Sequence, residues 1–134
     1  MVDSDQRSDA RERALNLMYE AHTKGIEVEE LIAAQVAAPD ELTDLLLRGS
    51  ERTRDRADEL IASKAKGWTL HRMPVLDLAV MRLATFELIE RSDVPTAVVL
   101  AEAVALAKRY STDDSGRFVN GVLAAIAVDV RPGE

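Results

Sequence analysis

Chemistry needs reactive groups at workable spacing, and this chain offers few. Its two histidines, His22 and His71, are far apart in sequence and form no HxxxH or HExxH spacing, so zinc chemistry finds no ligand set. There is no cysteine, which excludes disulfides, thiolate metal sites and cysteine catalysis. No glycine-rich phosphate loop and no GxSxG elbow is present. Asp113 and Asp114 are adjacent acids, but they stand where a helix begins, and negative charge there answers the helix dipole. The chain is therefore read as non-enzymatic, with no catalytic residue, no metal and no cofactor.

RNA binding asks for cations to meet phosphates and flat groups to meet bases. Two stretches carry such parts. Arg7 and Arg11 are four apart and share a helix face, although Asp3, Asp5, Asp9 and Glu12 leave the opening segment slightly acidic. Farther along, Lys108, Arg109 and Tyr110, then Arg117 and Phe118 across a polar loop, interleave basic and aromatic groups. Periodicity also admits the plainer reading, in which Tyr110 and Phe118 are core residues flanked by surface charge. The formal charge of −7, from 24 acids and 17 bases, argues against broad adhesion to nucleic acid. Any RNA contact must then rest on a local patch, on stacking, or on a second protein.

The elements that would position these groups are helical. Apolar residues recur three and four apart almost throughout, and no period-two strand of useful length appears. A first helix is expected over Ser4–Lys24, ended by Gly25, and a short second one carries Val28, Leu31 and Ile32. Asp40 is placed to cap a long third helix reaching about Lys66. Trp68 then begins a connector, and the expected place for a lone Trp beside a helix end is in the core. The segment from Val75 to Ile89 is apolar on most sides, which marks a central, enclosed helix. Arg82 within it needs a carboxylate partner, with Glu87 and Glu102 as candidates. Thr96–Tyr110 and a helix carrying Phe118, Val119, Val122, Leu123 and Ile126 complete the set. Asn120 is expected to be buried and hydrogen-bonded. Gly121 is expected to admit a neighbouring backbone, and the tail from Val130 to fray. This makes an all-α chain of about seven helices, one domain over 1–134, with a seam at Gly67 between layers 1–67 and 68–134. No apolar run approaches the roughly 20 residues of a membrane helix. The polar opening segment is unlike a signal peptide, so the cytoplasm is the expected location.

Three stretches together resemble the NusB family of transcription antitermination factors. The first is Ala10-Arg11-Glu12-Arg13-Ala14-Leu15-Asn16-Leu17-Met18-Tyr19. The second runs from Trp68 through Asp77 and Met81-Arg82-Leu83-Ala84-Thr85-Phe86-Glu87-Leu88 to Val94-Pro95. The third joins Glu102-Ala103-Val104 and Ala107-Lys108 to Phe118-Val119-Asn120-Gly121-Val122-Leu123, the most specific string of all. The chain departs from the family pattern at Ser8-Asp9, where basic residues are usual, and at Leu78 and Ala101.

The resemblance implies two packed helical bundles and a role without catalysis. It implies binding of boxA RNA together with NusE, a ribosomal protein, within the RNA polymerase antitermination complex on ribosomal RNA operons. By position, it assigns Arg7, Arg11, Asp114, Ser115, Arg117 and Phe118 to RNA, and Tyr19 and Asp77 to the NusE face. The thin N-terminal charge suggests weak RNA binding alone and tighter binding with NusE. Two other readings stay open: a structural homodimer that sequesters the chain, and an RNA-binding module related to ribosomal-RNA methyltransferases.

Overall fold

The computed structural model describes residues 3–133, and its regular structure there is seven α-helices and one 3-10 turn. Helix α1 spans Ser4–Lys24. Asp3 starts it by accepting the Gln6 amide while the Gln6 side chain accepts the Asp3 amide, two otherwise orphan donors satisfied at once. Gly25 ends it in the left-handed conformation, φ 65°. Helix α2 covers Val28–Ala34, and α3 covers Glu41–Arg52 with Asp40 accepting the Thr43 amide at its start. Then come α4 (Arg54–Lys64), the 3-10 turn Leu70–Arg72, α5 (Val75–Glu90), α6 (Thr96–Tyr110) and α7 (Asp113–Val130).

The long third helix expected from periodicity is in fact two. At buried Thr53 the backbone leaves helical geometry (φ −94°, ψ 6°), and the Thr53 hydroxyl donates to the Gly49 carbonyl at 2.8 Å. A β-branched residue that bonds back to its own turn favours such a break. The break decides how the chain packs. Leu46 and Leu47 of α3 join Ala10, Ala14, Val28 and Leu31 in one apolar cluster. Ala57 and Ile61 of α4 instead join Val80, Met81, Val119, Leu123 and Ile126 in the other. At Thr53 the chain thus passes from one cluster to the other, while Leu15 of α1 also reaches the second. Helix α5 serves both clusters, with Leu83 and Phe86 turned to the first and Val80, Met81, Ala84 and Leu88 to the second. That is why its sequence is apolar all round. The fit is close at Gly49, where any side chain would overlap the buried Phe86 ring.

Several side chains sit elsewhere than periodicity suggests. Asn120 is exposed, and open space lies beside Gly121, so neither ties α7 to a neighbour. Arg82 forks onto Asp58 of α4, at 2.7 and 3.0 Å, rather than onto Glu87 or Glu102. The tail is anchored: Val130 packs on the core, and Arg131 is buried with its guanidinium on the carbonyls of Leu88, Val94, Glu87 and Arg91. Residue 134 lies outside the described residues. No helix among the described residues is long and apolar enough to cross a membrane.

Candidate nucleic-acid interface

The first turn of α7 is assembled from short polar side chains. Thr112 caps it by accepting the Ser115 amide at 3.0 Å. Asp113 and Asp114 occupy the exposed turn, where the helix dipole favours them. Ser115 points inward, and its hydroxyl donates to Asp77 of α5 at 2.9 Å, with the Ser111 hydroxyl 2.9 Å away. One turn on, Arg117 is exposed and pairs with Asp114, and Phe118 is half-buried on the core edge. Asp114 and Arg117 are thus exposed on one surface with half-buried Phe118, whereas Ser115 is buried beneath it on Asp77.

Trp68 belongs to this surface and sequence reasoning placed it wrongly. It is 50% exposed rather than in the core. Its ring centroid lies 5.8 Å from that of Phe118, the planes tilted by 56°. The available signal was Gly67 just before it, whose φ of 83° turns the chain outward after α4.

Asp77 is 3% exposed, so it is not a side chain that a partner touches directly. It holds the start of α7 from beneath, and its second oxygen, Oδ1, has no hydrogen-bond partner among the described residues. Burial pushes its carboxyl above the ordinary 3.8, and the Ser115 and Ser111 hydroxyls only partly oppose this. The folded state thus binds the Asp77 proton more tightly than the unfolded chain does. Its charge costs nothing below pH 3.8 and progressively more as pH rises through the raised folded value. Asp77→Asn, which keeps an acceptor for Ser115, is expected to raise the melting temperature at pH 7, with the gain fading as pH approaches 3.8. Thermal melts across that range check it; a lower melting temperature for the variant at pH 7 would contradict the assignment.

The two N-terminal arginines part company. Arg7 is half-buried and forms no ion pair with a described residue. It lines a small crevice with Glu87 and Arg91, at the far end of α5 from Asp77. Fourteen residues of helix separate Asp77 from Arg91, about 20 Å, so Arg7 and the α7 surface are two patches and not one. Arg11 is 4% exposed and cannot meet a phosphate. Its Nε and Nη2 donate to the buried Glu87 carboxylate at 3.0–3.1 Å, and Glu102 lies 3.6 Å from Nη1. Four residues of helix place Arg7 and Arg11 one turn apart, but the second falls under α5 and α6.

Tyr19 is exposed on α1. Beside it in sequence, Met18 lines a groove of about 360 Å³ between α1, α3, α4 and α5. His22, Glu27, Glu51, Arg54, Leu78 and Arg82 line the same groove, which mixes an apolar floor with a polar rim of both charge signs.

This arrangement of helices and motifs has close counterparts. The sequence profile described as the NusB family matches residues 8–128. The chain belongs to the NusB family. Among curated relatives, the transcription antitermination protein NusB of Saccharopolyspora erythraea is 50% identical, with 90% of this chain and 86% of the relative covered. That of Thermobifida fusca is 44% identical, covering 90% and 87%. Among solved structures, T. maritima NusB superposes with a TM-score of 0.83 at 30% identity, over 94% of this chain and 93% of the other. A structure described as antitermination factors NusB and NusE in complex with dsRNA superposes with a TM-score of 0.81 at 25% identity, over 95% and 99%. The all-α NusB fold and the role in transcription antitermination are therefore those of this chain.

Proposed function

We propose that the chain acts as a bridging adaptor in antitermination, holding boxA RNA on one surface and NusE on another, and that it makes and breaks no bond. The observation that carries this reading is the placement of exposed Asp114 and Arg117 beside half-buried Phe118 at the start of α7, with Ser115 fastening that turn to Asp77 from beneath. Arg117 meets phosphate there and Phe118 meets a base. Its exposed pair with Asp114 is cheap to give up, since surface ion pairs contribute about 0–1 kcal/mol. Arg7 supplies a second phosphate contact about 20 Å along α5. The groove lined by Met18, next to Tyr19 in sequence, receives NusE, its apolar floor supplying area and Glu27, Glu51, Arg54 and Arg82 the polar rim. The adaptor works in the cytoplasm, where nascent RNA is found.

With a formal charge of −7, the isolated chain binds RNA weakly, and NusE tightens the complex by adding contacts. The test is a titration of boxA RNA across a salt series, with and without NusE. Arg117→Ala is expected to weaken binding and to flatten the plot of log K against log salt by about 0.7, one phosphate's worth on single-stranded RNA. Equal affinity with and without NusE, or an unchanged slope in the variant, would overturn the reading.

A further inference from the structure

Trp68 is costly where it stands. A half-exposed indole leaves apolar area in water, and the chain has only one tryptophan to place. The fold does not hide it. Gly67 turns the chain outward, and the indole leans over Phe118 at 56°, an angle at which the two faces diverge instead of covering each other. Phe118 is seated on the core edge, so the inner ring is fixed while the outer one keeps a free face.

Most of the seventeen basic side chains are spent on ion pairs inside the fold. Lys66 and Arg72, which flank Trp68 in sequence, are both exposed, and neither forms an ion pair with a described residue. In a chain of net charge −7, the exposed indole thus stands in sequence between two exposed cations that are not held by a described carboxylate. Flat faces bordered by cations suit unpaired bases and their phosphates, because every base offers a π-face and only an unstacked one can present it.

We infer that Trp68 is an RNA-binding residue: backed by Phe118, its free face stacks one unpaired nucleobase of single-stranded RNA, a clasp completed by Lys66 and Arg72 on the adjoining phosphates. This deepens the proposed RNA role of the α7 surface and rests on it. It extends that surface from α7 across to the connector after α4. Stacking of this kind is tolerant of base identity, so the clasp contributes affinity and strand selectivity more than sequence preference.

The single tryptophan makes the inference directly readable, since all indole fluorescence comes from position 68. The full chain is titrated at low salt with a single-stranded boxA oligoribonucleotide, and with the same strand annealed to its complement. Saturable quenching is expected with the single strand and not with the duplex. By anisotropy of labelled RNA, Trp68→Ala is expected to lose about tenfold or more in affinity, and Trp68→Phe to keep most of it. The salt slope should stay unchanged in Trp68→Ala and fall by about 0.7 in Arg72→Ala. Circular dichroism should show the same fold in each variant. Wild-type affinity in Trp68→Ala, or an indole signal that ignores bound single-stranded RNA, overturns the clasp and leaves the adaptor role standing. Failure of the wild-type chain to bind RNA under any condition, NusE included, removes both.

Discussion

Arg11→Ala is expected to lower the unfolding free energy by about 3–5 kcal/mol, the usual cost of removing one partner of a buried ion pair. Arg11 on α1 and Glu87 on α5 are almost fully enclosed, and the guanidinium offers two donors to one carboxylate. Without Arg11, the buried Glu87 carboxylate loses the donors that Nε and Nη2 supply. The pair is also the polar link between α1 and the central helix, across 76 residues of sequence. Urea denaturation checks this, because the midpoint should fall while the slope, set by exposed area, stays the same. The double variant Arg11→Met, Glu87→Leu should be less destabilised than Arg11→Ala, since no charge is stranded. An Arg11→Ala midpoint within error of wild type would sink the argument. A functional warning follows from the same geometry. Loss of RNA binding on mutating Arg11 would report a loosened fold and not a missing phosphate contact.

Arg131→Ala is the second large effect, expected at about 3 kcal/mol or more, because hydrogen bonds from a charged donor each contribute about 1.5–3 kcal/mol. Five donations are visible. They go to the carbonyls of Glu87, Leu88, Arg91 and Val94 and to the Thr96 hydroxyl, at 2.7–3.1 Å. Glu87 and Leu88 belong to the last turn of α5, where the dipole is negative and favours a buried cation, and the Glu87 carbonyl accepts the Arg91 amide as well. The same side chain holds the α5–α6 turn and the end of α7 in one knot. Arg131→Lys should rescue little, since an ammonium cannot reproduce the planar fork. Thermal melting gives the magnitude. Hydrogen exchange should show faster opening over residues 87–96, and protection there equal to wild type would contradict the role.

Some of this was written locally. The bounds of α1 follow from Asp3, Gln6 and Gly25, and the start of α3 follows from Asp40, because caps act within a single turn. The enclosed character of α5 is visible in its uniform apolarity. The Phe-Val-Asn-Gly-Val-Leu string and its companions carry the family resemblance. The grouping of Asp114, Ser115, Arg117 and Phe118 was legible for the same reason, since these four share one stretch of helix.

Other features were decided only when helices met. The 3.6-residue period ran unbroken through Thr53, where the hydroxyl's bond back to Gly49 and packing against two different clusters together favour the break. Periodicity also could not choose among carboxylates for a buried or half-buried arginine. Arg82 took Asp58 and Arg11 took Glu87, pairings set by which helices lie side by side. Trp68 left the core because the clusters were already filled by α4, α5 and α7, while Arg131 entered it because the end of α5 had carbonyls to satisfy. The physical reason is one of range. Caps and helical period are fixed by neighbours three or four residues away, whereas partners, burial and exposure depend on contacts across the whole chain, which exist only once it has folded.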